Sequence, residues 1–333
     1  MSSSTPTCPS PTTIPLPNGS AMPAVGFGCW KLSSPASIVE AAVAAGWRHF
    51  DSACDYGNEE AVGEGLRLGM AKAGVGRDDM FITSKLWNTY HRPEHVEEAC
   101  RRSLKDLGLD YLDLYLIHFP ISLKHVPMST RYPPEWTHDP DGDNVMVPDD
   151  GVTIAETWSA MEALVEKGLV KNIGVANFPA ALLLELLKTA KVKPAVNQIE
   201  LHPHLSQRRL VDFCKAKGIA VTGFSPLGSG SYVELSMDQG RGVGLLKDPA
   251  VLSIASKHGK TPAQVLLRWG VQRGNAVIPK TSSAARLAEN LDVFGFELEE
   301  EDMEALYGLN LNARYNDPGV FCKGMGGDYP IWD

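Results

Sequence analysis

Eight short apolar segments, separated by helical or turn sequence, constrain this 333-residue chain more than any other feature. They are Val25 to Gly28, Arg48 to Asp51, Met80 to Lys85, Leu112 to His118, Asn172 to Val175, Ala195 to Glu200, Ile219 to Phe224 and Ala276 to Pro279. A half-exposed strand would alternate apolar and polar residues. These are apolar nearly throughout, so both faces of their sheet must be covered. Between most of them run amphipathic segments, including Val96 to Leu107, Ile154 to Lys167, Pro179 to Lys188, Gln207 to Lys217, Pro249 to His258 and Pro262 to Arg273. Strands alternating with helices give an α/β fold with a parallel sheet, and eight such units close into a (β/α)8 TIM barrel.

Around that frame the chain carries additions. Pro17-Asn18-Gly19 between short apolar flanks predicts a β-hairpin over Thr13 to Met22. Residues 1–12, rich in Ser, Thr and Pro, read as a disordered leader, and 13–333 as one barrel domain. Residues 119–151 and Gly228 to Lys247 are too long for simple connections and predict long loops at the C-terminal face of the barrel. Leu309 to Asp333 reads as an irregular tail.

Net charge is −9 with no block of lysine or arginine, which gives no electrostatic support for nucleic acid or an anionic membrane as partner. The six cysteines are scattered without CxxC spacing and no secretory or membrane-spanning apolar run is visible, so reduced thiols in a cytoplasmic protein are expected. A small-molecule ligand fits this composition best, bound by a monomer or homodimer.

The chemistry begins in GWRHFDSACDYGNEE, Gly46 to Glu60. Asp51 ends an apolar segment, Tyr56 follows in the loop, and Asn58 with Glu59 and Glu60 predicts a capped helix start. Lys85 and His118 end the next two strands. Taken singly, each has an ordinary structural reading: a buried aspartate, a packing tyrosine, a rim lysine, a satisfied core histidine. Three ionisable groups finishing consecutive strands would, however, converge on one face of a barrel. With Tyr56 they supply an acid, a cation to lower its pKa, an anion to hold the cation and an imidazole to orient a carbonyl. His202 and His204 in LHPH have near-metal spacing, but no third ligand accompanies them, so they read as structural and no metal is expected. Trp30, Trp87, Phe119 and Trp136 read as pocket walls if they stand at the barrel mouth.

GWRHFDSACDYGNE, FITSKLWN, DYLDLYLIHFP, GVANF, NQIELHP, TGFSPLGS and IPKTSSAARLAEN together resemble the aldo-keto reductases, from about Ala21 to about Pro318. The resemblance implies Tyr56 as general acid, Lys85 paired with Asp51, and His118 aligning a substrate carbonyl while a nicotinamide delivers hydride. It implies NADPH, with NADH possible as a second cofactor, held without a GxGxxG loop. Asn177 and Gln198 would bond the carboxamide and Phe224 would stack under the ring. Ser225, Leu227 and Ser229 would cover the pyrophosphate. Lys280, Ser282, Arg286, Glu289 and Asn290 would meet the adenosine end, where a lysine and an arginine suit a 2′-phosphate.

Within the family the likeness runs to fungal xylose reductases, through Asp55 before Tyr56, HFPISLKHVP, RYPP, SYVEL and YNDP. It implies a sugar aldehyde as substrate, with Trp30, Asp55, Phe119 and Asn316 around it and Glu234 on the adenosine ribose. Reduction of D-xylose to xylitol is the expected reaction. The other readings are a reductase of phosphorylated sugars or general aldehydes, and a nucleotide-binding sensor or subunit. Four positions depart from the pattern: Ala176 replaces a usual serine, Phe224 a tyrosine, Ser282 an asparagine, and the tail lacks a tryptophan-rich ending.

Overall fold

The computed structural model describes residues 12–138, 145–228, 230–233, 235, 237 and 244–332. The expected leader therefore lies, but for Thr12, outside the described residues, as do Ser229 and Glu234.

A hairpin opens the described chain, β1 (Thr13–Pro15) against β2 (Ala21–Pro23), turning at Asn18, whose Oδ1 accepts from Ser20 N at 2.9 Å, and at Gly19. The barrel strands follow as β3 (Phe27–Gly28), β4 (His49–Asp51), β5 (Phe81–Leu86), β6 (Leu114–Ile117), β7 (Ile173–Ala176), β8 (Val196–Glu200), β9 (Ala220–Phe224) and β10 (Ala276–Ile278). They pair in parallel in sequence order. The ring closes where Val25 bridges Val277 and Gly28 N donates to Pro279 O at 3.0 Å. The expected TIM barrel is the observed fold. Six strands are shorter than their apolar runs, while β5 and β7 keep the expected length one residue further along, ending at Leu86 and Ala176. His118 stands just past β6, yet its N–H still reaches Leu86 O at 3.0 Å.

The helices are α1 (Pro35–Ala44), α2 (Glu59–Ala73), α3 (Pro93–Leu107), α4 (Ile154–Glu166), α5 (Ala180–Thr189), α6 (Arg208–Ala216), α7 (Gly230–Val233), α8 (Pro249–His258), α9 (Pro262–Gln272), α10 (Ala285–Leu291), α11 (Glu300–Gly308) and α12 (Pro318–Phe321). The sequence pattern marks neither α1 nor α11, nor the short α7 inside the expected Gly228 to Lys247 loop, nor the short α12 in the tail. α1 is rich in alanine, which leaves little polar periodicity to see. Asn58 is a correction of another kind: it occupies the cap position of α2 but makes no cap bond, and its Nδ2 donates to Cys29 O at 2.9 Å. Glu59 and Glu60 stand in the first turn as expected, and Glu59 is buried there and accepts from Ser84 Oγ at 2.6 Å.

Glycines let α2 approach its neighbours closely. A Cβ on Gly63 would lie 2.4 Å from Leu107 O, and one on Gly65 2.5 Å from Ala36 O, both backbone atoms that cannot swing aside. Gly63→Ala is therefore expected to cost about 2–3 kcal/mol through forced separation of α2 and α3. A urea midpoint equal to that of the parent protein would disprove this packing account.

Candidate active site

Register brings the ionisable residues together. Asp51 pairs with Thr83 across β4 and β5, and Lys85, two residues on, points to the same face, into the mouth. Lys85 Nζ donates to Asp51 Oδ1 at 2.6 Å, to Ser52 O at 2.8 Å and to Tyr56 OH at 3.0 Å. Asp51 Oδ2 accepts from Gln198 Nε2 at 2.7 Å, so both carboxylate oxygens are engaged. Tyr56 ends a tight 3-10 turn, Cys54–Tyr56, which swings its ring back over the barrel to 5.9 Å from that of His118. The Trp87 ring lies edge-on to His118 at 5.1 Å.

Burial decides the protonation states. It opposes a charged Lys85, but Asp51 and then Tyr56 outweigh it and hold the ammonium above the ordinary lysine range. Burial pushes the Tyr56 phenol up to about 12, with Lys85 pulling the other way. The expectation that a neighbouring lysine leaves this phenol with a lowered pKa is thus corrected: desolvation of the phenolate exceeds the attraction of the cation. Burial, and then the charges of Lys85 and His91, depress His118 well below the usual imidazole range, so it is neutral at physiological pH.

Tyr56 and His118 line a cavity of about 450 Å³. Tyr56, His118, Asn177 and Gln198 line it together with Trp30, Trp87, Phe119 and Trp136. Asp55, Phe224 and Asn316 also face it. Burial, reinforced by Glu135, raises the Asp55 carboxyl to about 7. Tyr232, Phe321 and Met325 also line it, with no role assigned to them from the sequence. They come from the loop after β9 and from the tail, whose placement no local pattern reports.

A groove of about 510 Å³ adjoins the cavity at Tyr56 and Trp30 and runs past Ser225 and Leu227 to Lys280 and Arg286. Both cations are exposed at its far end. Ser282, Glu289 and Asn290 lie on or beside α10 but do not line the groove. Glu289 instead accepts from Thr261 Oγ1 at 2.8 Å, and Asn290 is buried. In the cavity wall Asn177 Nδ2 donates to His118 O at 2.9 Å, leaving Oδ1 buried without a partner. That orphaned acceptor suits the N–H of a carboxamide. Phe224, ending β9, offers an aromatic face, and Ser225, at φ 51°, bonds Tyr232 OH through its Oγ at 2.9 Å. The residues present therefore fit a reduced nicotinamide dinucleotide. Among the described residues no group of three or more His, Cys, Asp or Glu is arranged to hold a metal ion.

A sequence model of the aldo/keto reductase family matches residues 24–310. A probable NAD(P)H-dependent D-xylose reductase of Emericella nidulans is 51% identical over 312 residues, spanning 93% of this chain and 97% of the relative. The NAD(P)H-dependent D-xylose reductase of Scheffersomyces stipitis is 49% identical over 316 residues, spanning 93% of this chain and 98% of the relative. Among solved structures, the aldose reductase of Schistosoma japonicum superposes with a TM-score of 0.82 at 39% identity, covering 96% of this chain and 98% of its own.

Proposed function

This chain belongs to the aldo/keto reductase family, and from that premise we propose that it reduces the aldehyde of open-chain aldoses, above all D-xylose to xylitol, using NADPH or NADH. The observation that carries the reading is the continuous hydrogen-bonded series Asp51, Lys85, Tyr56 beside the cavity. A reduced nicotinamide, when bound, supplies hydride to the carbonyl carbon. Tyr56 gives its hydroxyl proton to the carbonyl oxygen, and the Lys85 ammonium at 3.0 Å stabilises the phenolate left behind. Asp51 keeps that ammonium charged. A neutral His118 can donate one hydrogen bond to the carbonyl without competing as an acid.

Asp55 and Asn316 give the cavity polar partners for sugar hydroxyls, which would otherwise be buried unpaired. Among the described residues no lysine or arginine lines the cavity to pair with a sugar phosphate. The apolar wall of Trp136, Phe321 and Met325 favours a second capacity, reduction of simple aldehydes. Following NADPH oxidation at saturating D-xylose tests the reading, and turnover with glyceraldehyde but not xylose would move the substrate elsewhere. No helix among the described residues is long and apolar enough to cross a membrane.

Cofactor choice rests on Lys280 and Arg286, whose guanidinium can take two phosphate oxygens at once. Arg286→Ala is expected to raise the NADPH dissociation constant by about 30-fold, roughly 2 kcal/mol, and that of NADH by no more than about twofold. Equal losses for both, in a fluorescence titration, would remove the 2′-phosphate assignment.

A further inference from the structure

The His-containing motif after β8 has no part in the chemistry above, yet it is built with unusual care. Glu200 ends β8 two residues beyond Gln198, so both side chains point toward the barrel mouth. Glu200 does not line the cavity, and it is fully enclosed. Its Oε1 accepts from Tyr315 N at 3.0 Å and bonds His202 Nε2 at 2.9 Å. Its Oε2 accepts from Asn316 N at 2.9 Å and Tyr315 N at 3.2 Å. Two consecutive backbone N–H groups of the tail thus end on one buried carboxylate.

Tyr315 is gripped elsewhere too. Its ring lies 5.3 Å from that of His202, and its hydroxyl bonds His204 Nδ1 at 3.3 Å. On the other side it stacks on Tyr232 at 5.8 Å and 21°. His204 O accepts from Leu311 N at 3.1 Å and from Ala313 N at 3.0 Å, anchoring the segment that leads in. The next residue, Asn316, faces the cavity.

We propose that Glu200, with His202 and His204, is a clamp that positions Asn316 against the hydroxyls of an aldose, making Glu200 a specificity-determining positioning residue. The proposal rests on the aldose reading above. The tail here has no regular structure, so nothing in its own backbone fixes where Asn316 points. The carboxylate fixes the backbone there through charge-assisted bonds to N–H groups that would otherwise be buried unpaired, and the Asn316 side chain it presents also bonds Tyr232. Glu200→Gln keeps the shape but turns an N–H donor toward donors.

The test is steady-state kinetics at saturating NADPH with D-xylose and with butanal, which has no hydroxyl to recognise. Glu200→Gln and Asn316→Ala are each expected to raise KM for xylose about tenfold, with kcat for xylose and KM for butanal within about twofold. The double variant is expected to be no worse than Asn316→Ala alone, because both changes remove one contact. Equal rises for xylose and butanal in Glu200→Gln would reduce Glu200 to a fold residue and overturn the clamp. So would an unchanged xylose KM in Glu200→Gln beside a raised one in Asn316→Ala. An unchanged xylose KM in Asn316→Ala would instead overturn the sugar contact itself, and the clamp with it. If Glu200→Gln does not fold, Tyr315→Phe removes the hydroxyl that bonds His204. It is expected to raise KM for xylose alone, by about threefold, and no rise would again overturn the proposal.

Discussion

Tyr56→Phe is expected to lower kcat for D-xylose by about three orders of magnitude while leaving NADPH binding within about twofold, the range general acids supply. The substitution removes one oxygen from a buried site and keeps the ring that packs beside His118. Lys85 retains Asp51 and Ser52 O, so the fold is not put at risk. The loss therefore reports on proton donation alone. Because burial pushes the phenol up to about 12, Tyr56 carries its proton throughout the physiological range, and turnover of the parent enzyme is not limited by its ionisation at neutral pH. Rapid single-turnover NADPH oxidation by Tyr56→Phe would assign the acid to another group.

Asp51→Ala is expected to cost about 3–5 kcal/mol of stability, the cost of leaving a buried charge without its partner. Lys85 is fully buried and its remaining partners, Ser52 O and Tyr56 OH, are neutral. Gln198 Nε2 loses its acceptor in the same change. The sign with pH follows from the direction of the lysine shift. A cation held above its ordinary pKa stabilises the fold fully below about pH 10.4, and that contribution fades as pH rises further. The variant and parent should therefore differ most at neutral pH and converge in strong alkali. Urea midpoints measured across pH check this, and a neutral-pH midpoint shifted by less than about 1 kcal/mol would mean that Lys85 gives up its proton instead.

Much of this site could be read along the chain because its parts are local. Asp51, Lys85 and His118 each close an apolar run, and the period of a strand carries each to the same end of the sheet. Lys280 and Arg286 lie six residues apart where β10 leads into α10. Tyr232, Phe321 and Met325 escaped notice because they reach the cavity from the loop after β9 and from the tail, where no periodicity reports direction. LHPH was read as structural, and its partners are Glu200 and Tyr315, the latter more than a hundred residues away.

What the amino-acid order determined by itself was the alternation of eight apolar strands with helices, hence the barrel, and the residue types at the ends of those strands. Both follow from short-range rules of burial and pitch. What only the tertiary structure decided was the state of those residues. Tyr56 keeps its proton, His118 is neutral and Lys85 stays charged because desolvation and Coulomb attraction both depend on which distant atoms exclude water and which charges stand within a few ångströms. The same is true of the cavity wall, where one carboxylate at the end of β8 holds two N–H groups of a tail 115 and 116 residues further along the chain.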